Sequence, residues 1–166
     1  MMTINNREYH YYQSYHDIGL YFMMLYIKNF ETGINVFQRF SEFYLKQNLL
    51  KNENNSNKGF DFVRINDVVI EIIKNISKEV YDFLDVRVDF VFPWIVALYT
   101  HNIMDSSIVY RLFDFFITHH PLSVYYLTAN ILIDEVLKLK AKNLKNIVRK
   151  NLFIKRKTKT SLNIFN

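Results

Sequence analysis

Cysteine is absent from this 166-residue chain, and proline and glycine are scarce, at two and three residues. The first absence excludes disulfides and thiolate metal sites, and it permits a reducing compartment without requiring one. The second starves the chain of the tight turns that many short strands need, which argues against an all-β fold. Long hydrophobic runs are missing too. The longest, over 18–27 and 91–99, fall short of the ~18–20 apolar residues that span a bilayer. The opening MMTINNREYH is polar and lacks an apolar core, so no signal peptide is expected.

Apolar residues make up 50% of the chain and aromatic ones 17%, enough for the packed core of one domain. The net charge of +5 is unevenly placed. Residues 138–166 carry ten Lys and Arg and no acid, and residues 1–137 carry eleven bases against sixteen acids, so the body is −5 and the tail +10. Such a tail suits nucleic acid, or an anionic lipid surface at roughly 1 kcal/mol per base. It suits a solvated, frayed terminus equally well.

Helical periodicity runs through nearly the whole sequence. One helix is expected from about Tyr15 to Asn29, opened by an S-x-x-D capping box of Ser14 and Asp17. A second covers roughly Gly33 to Leu50, with Val36, Phe37, Phe40, Phe43 and Tyr44 on one stripe. The Asn-rich KNENNSNKG over 51–59 reads as a flexible loop. Val69, Ile72, Ile73, Ile76, Val80, Phe83 and Leu84 then mark a helix from about Asn66 to Asp85. A helix opened by Pro93 should stop near Asn102, and another, capped at Asp105 or Ser106, should close at Pro121. The last long helix starts at Pro121 and runs into the basic tail. The pattern predicts an all-α array of about six helices with short connections and no internal repeat.

Paired catalytic carboxylates, a Ser-His-Asp order, a phosphate-cradling glycine loop and an H-E-x-x-H zinc signature are all missing from the sequence. His119 and His120 are adjacent, so their rings should diverge rather than share an ion. His16 and His101 read as structural histidines before metal ligands. Arg111 and Asp114, three apart on a very apolar helix, must share its narrow polar edge. Gln13 stands just before the first turn of a helix, where free amides and the dipole favour anions. An amide there suits an ordinary surface or capping role. It also suits the orientation of a water beside a phosphate.

The stretch YHYYQSYHDIGLYFMMLYI resembles the glutamine-bearing motif of TBC-domain Rab GTPase-activating proteins, most of all the subfamily reading Tyr-Tyr-Gln-Gly-Tyr-His-Asp-Ile. Further on, FPWIVALYTHNIMDSSIVYRLFDFFITHHPLSVYYLTANILI resembles the same subfamily's Trp-containing helix, its Arg-Leu-x-Asp-Phe-Phe helix and its His-Pro-Leu turn, in order. The resemblance implies a GTPase activator that supplies an arginine finger, worth on the order of 10³–10⁵ in rate, together with a glutamine that positions the attacking water. It implies Gln13 as that glutamine and Tyr11 as the tyrosine of its Y-x-Q triplet. Ser14, His16, Asp17 and Trp94 would be structural or partner-contacting, and Arg111 with Asp114 would match a helix-bracing pair. No cofactor of its own is implied, since GTP and Mg²⁺ belong to the partner, a Rab-type small GTPase.

Two departures from the pattern matter. Ser14 stands where the family has glycine, adding bulk where backbone should approach nucleotide. The family's I-x-x-D-x-x-R arginine motif precedes its glutamine by some tens of residues, but only twelve residues precede Gln13, and the INNRE around Arg7 does not match. Residues 1–140 therefore read as the C-terminal part of a TBC domain without its arginine lobe, followed by a basic tail over 141–166. A truncated gene reading, a partial piece and a half-domain that has lost the chemistry all remain open. The missing lobe should expose apolar surface on the helices from Tyr15 and Gly33. The reading is thus a Rab GTPase activator or its remnant in vesicle trafficking, of low activity alone. Its location is the cytoplasm or the cytosolic face of endoplasmic reticulum or Golgi membranes. The alternative is a non-catalytic helical module that binds a small GTPase or another protein. Nucleic-acid binding is the weakest reading.

Overall fold

Asn29 shows how local chemistry sets the boundaries. Its side chain accepts a hydrogen bond from the Thr32 amide at 3.1 Å, so it caps the second helix rather than ending the first. The computed structural model describes residues 9–50, 62–84 and 88–141; the Asn-rich loop and the basic tail from 142 onward lie outside them. In chain order the helices are α1 (Tyr15–Leu25), α2 (Phe30–Tyr44), α3 (Lys46–Leu49), α4 (Phe62–Ile76), α5 (Lys78–Leu84), α6 (Phe92–Val96), α7 (Ser106–Thr118) and α8 (Ser123–Ala141). A 3₁₀ turn, Asp89–Val91, leads into α6. The described residues are all-α, with a lone antiparallel bridge between Tyr9 and Leu50.

Several expected helices prove shorter or divided. The first stops at Leu25, because Tyr26 leaves helical backbone at φ −109°, ψ 33°. The second begins at Phe30, and Leu45 separates α2 from α3. Ser77 divides the third: its amide still bonds Ile73 carbonyl, while its hydroxyl accepts from the Val80 amide and starts α5. The helix opened by Pro93 ends at Val96 rather than Asn102, since Leu98 (φ 47°) and Tyr99 (φ 67°) are left-handed. The Asp105 cap holds as expected, its carboxylate accepting from the Ser107 amide at 2.8 Å.

α4 lies along α8, and α1 packs against α2. Two of the three glycines make the second crossing close. A Cβ on Gly19 would come 3.0 Å from the Phe37 ring, and one on Gly33 would come 3.0 Å from Tyr26 Cβ. Around this crossing sits an aromatic cluster. Phe22 lies 5.3 Å from Phe37, 5.0 Å from Phe40 and 5.4 Å from Phe113, centroid to centroid. Of the predicted α2 stripe, Phe40 and Tyr44 are buried and Val36 and Phe37 half-buried, while Phe43, at the stripe's edge, is exposed. The outer sides of α1 and α2 are apolar and open to solvent at Leu20, Met24, Leu25, Ile27, Phe30 and Ile34.

Buried hydroxyl pairs tie the helices together. Ser41 donates to Phe37 carbonyl and Thr128 to Val124 carbonyl. Each of these hydroxyls has one proton, so Tyr15 and Tyr99 are the donors at 3.0 and 2.7 Å. Tyr44 meets Ser123 at 2.8 Å. Burial pushes the Tyr44 hydroxyl from 10.0 up to about 12, against a smaller opposing effect of the Ser123 hydrogen bond. Burial raises Tyr12 and Tyr99 further still. These groups bind their protons more tightly folded than unfolded, so their contribution is complete below pH 10; that of Tyr44 is lost as pH climbs through about 12, and those of Tyr12 and Tyr99 at higher pH still. Chemical-denaturation midpoints should therefore fall steeply above pH 10. The last share of the tyrosinate absorbance, that of the buried rings, should appear only with the loss of helical circular dichroism, and tyrosinate forming fully in a still-folded chain would contradict this.

Candidate functional site

The segment before α1 is anchored at its start. His10 N–H donates to Leu49 carbonyl at 2.8 Å, and Tyr9 bridges Leu50. From there the side chains alternate: Tyr11 is exposed, Tyr12 buried, Gln13 exposed and Ser14 buried. Gln13 therefore stands at the tip of the turn, and its side chain makes no hydrogen bond among the described residues.

The expected capping box does not form. Ser14 is the N-cap residue but sits in the left-handed region at φ 83°, ψ −10°, and its side chain makes no cap hydrogen bond. Its carbonyl receives the Asp17 and Ile18 amides instead, at 3.2 and 3.3 Å. A capping hydroxyl needs extended backbone to fold back over the first turn, and a left-handed residue directs it elsewhere. Left-handed backbone costs a non-glycine residue roughly 1–2 kcal/mol. Glycine is free of that cost but loses more entropy on folding. Ser14→Gly is thus expected to stabilise the chain by about 0.5–1 kcal/mol, seen as a thermal midpoint a few degrees higher. A lower midpoint would show that the buried serine contributes more than its backbone costs.

Asp17, freed from capping, joins a cluster that sequence reasoning missed. Its Oδ2 lies 2.6 Å from His101 Nε2, and its Oδ1 lies 3.4 Å from His16 Nε2. Tyr11 Oη lies 2.5 Å from His16 Nδ1, and the two rings stack with centroids 6.0 Å apart. A carboxylate only accepts, so His101 donates through Nε2–H. If the Tyr11 hydroxyl donates to Nδ1, the neutral His16 ring carries its proton on Nε2, facing Asp17. Asp17 and His101 stand 84 residues apart, and no local pattern signals their meeting. Among the described residues no group of three His, Asp or Glu is arranged to hold a metal ion.

His101 reaches this cluster from the turn after α6. Tyr99 N–H donates to Trp94 carbonyl at 2.8 Å, and the Thr100 hydroxyl donates to Ala97 carbonyl at 2.8 Å. Trp94 is half-buried under this turn, 5.9 Å from the Tyr99 ring and 5.7 Å from Phe90. It braces the turn. Arg111 and Asp114 are both exposed and share the polar edge of α7, and among the described residues no ion pair joins them. On an open helix edge such a pair gains only a few tenths of a kcal/mol, too little to hold two solvated side chains. His119 and His120 do diverge: the first turns Nδ1 back to Phe115 carbonyl, the second accepts from the Leu122 amide.

The model of the Rab-GTPase-TBC domain matches residues 1–141, and the chain belongs to that family. The chain is 28% identical over 127 residues to the GTPase-activating protein gyp10 of Schizosaccharomyces pombe, covering 75% of this chain and 32% of that protein. It is 30% identical over 131 residues to TBC1 domain family member 20 of Mus musculus, covering 77% and 31% respectively. The Homo sapiens member 20 is 28% identical over the same length, with 77% and 30% covered. The chain thus spans about a third of the length of these relatives.

Proposed function

We propose that this chain acts in a GTPase activator for a Rab-type small GTPase, with Gln13 as the residue that orients the hydrolytic water. The observation that carries the reading is the placement of Gln13. Its amide is exposed at the tip of a turn, unengaged among the described residues, and followed by the first turn of α1. A side-chain amide offers both a donor and an acceptor, the pairing needed to hold one water between itself and a phosphoryl group. Tyr11, bonded to His16, stands beside it. GTP and Mg²⁺ come with the partner.

In this reading the charge-stabilising arginine comes from outside the residues described, and the chain by itself stimulates hydrolysis weakly. That arginine is worth on the order of 10³–10⁵ in rate. Membrane traffic on the cytosolic side of early secretory membranes is the setting proposed. Among the described residues no helix is long and apolar enough to cross a bilayer, and the basic tail is proposed to meet anionic lipid.

The test is single-turnover GTP hydrolysis by a panel of Rab-type GTPases, with the chain alone and with an arginine-bearing TBC segment added. Strong stimulation in the second arm, with little in the first, is the expected result. Saturable binding with no rate increase in either arm would favour a non-catalytic interaction module, and no binding at all would sink both readings.

A further inference from the structure

The turn that carries His101 is unusually costly to build. Leu98 and Tyr99 are consecutive left-handed non-glycine residues, each 1% exposed, a backbone that crowds Cβ against the following carbonyl. Such backbone persists only where its surroundings over-determine it. Here they do: Trp94 carbonyl takes the Tyr99 amide, and Tyr99 Oη reaches Thr128 on α8 at 2.7 Å. The turn projects His101 across to Asp17, three residues into the helix that Gln13 precedes, at 2.6 Å. The other Asp17 oxygen faces His16, whose ring is held by Tyr11, two residues before Gln13.

We propose that His101, acting through Asp17, is a positioning residue that fixes the turn bearing Gln13 against the α6–α8 scaffold. The inference rests on Gln13 being the water-orienting residue. Side chains at 28% and 43% exposure form a pair that contributes modestly to global stability. Its geometric effect is larger. The segment around Gln13 is also held by the Tyr9–Leu50 bridge, the His10–Leu49 hydrogen bond, the buried Tyr12 and the Tyr15–Ser41 hydrogen bond at the start of α1, but none of these reaches the α6–α8 side. A shift of about 1 Å in a group that aligns a nucleophile costs up to ~10²-fold in rate. Without His101, the first turn of α1 loses a hydrogen bond to the segment that follows the Leu98–Tyr99 turn, and the Gln13 tip swings more freely.

The experiment pairs amide hydrogen exchange on the full chain with stimulated hydrolysis in the presence of the arginine-bearing segment. His101→Ala should speed exchange at the Asp17 and Ile18 amides at least about fivefold and leave the α8 amides unchanged. At saturating activator it should lower the hydrolysis rate constant about tenfold, with little change in the concentration giving half-maximal rate. His101→Gln, which keeps an N–H donor, should restore much of both. Unchanged exchange at Asp17 and Ile18 would overturn the strut. So would faster exchange with an unaltered rate constant in an assay where Gln13→Ala is impaired. Failure of the Gln13 reading has a separate signature: Gln13→Ala itself hydrolyses at the parent rate, while the exchange data still judge the contact.

Discussion

Replacing Gln13 by alanine is expected to slow arginine-completed, activator-stimulated GTP hydrolysis at least about tenfold, or roughly 1.4 kcal/mol of barrier. The protein's stability should move by less than about 0.5 kcal/mol. The two halves of this expectation have one cause. The Gln13 side chain is exposed and bonded to nothing among the described residues, so the fold does not use it, and any effect of its removal reflects a partner. Single-turnover rates at saturating activator, beside a thermal melt of the same variant, measure both quantities. A parent-like rate would end the assignment. Tyr11→Phe, which removes only the hydroxyl that meets His16 Nδ1, should give a smaller loss in the same assay.

Phe113→Ala is expected to have the largest effect on stability, about 3–5 kcal/mol, as for other fully buried phenylalanines. Phe113 is 0% exposed. Its ring centroid lies 5.6 Å from Tyr21 and 5.4 Å from Phe22 on α1, and 6.3 Å from Phe40 on α2. One ring thus joins α7 to both helices of the crossing, and its loss leaves a cavity that the crossing, already close where Gly19 meets Phe37 and Gly33 meets Tyr26, cannot collapse to fill. Urea unfolding followed by circular dichroism gives the value. Phe115→Ala is the control, because Phe115 is 38% exposed and stacks on His119 at the surface. A loss there as large as at Phe113 would mean that the aromatic cluster is not the seat of the stability.

The all-α class was legible because two signals agreed: very little glycine and proline, and apolar spacing that keeps to a helical period. The α4 and α5 face shows this well. Of the seven residues on the expected face, Val69, Ile73, Val80 and Leu84 are buried and Ile72 and Phe83 half-buried, while Ile76, just before the break at Ser77, is exposed. The same spacing is silent about Ser77, where the helix divides, because the apolar period runs on across it. The helix opened by Pro93 was drawn too long for another reason. Apolar residues continue past Val96, and nothing in the identities of Leu98 and Tyr99 announces left-handed backbone. Tertiary contacts at Trp94 and Thr128 hold them there.

The sequence by itself determined the helical class, most of the apolar positions that are buried, and the position of Gln13 just ahead of α1, since all of these follow from residue type and from neighbours within a turn or two. The tertiary structure alone decided that Ser14 is left-handed and caps nothing with its side chain. It alone turned Asp17 to His101. Hydrogen bonds between residues 84 apart exist only once the chain has closed on itself, and the stability of the closed core is what holds strained backbone in place.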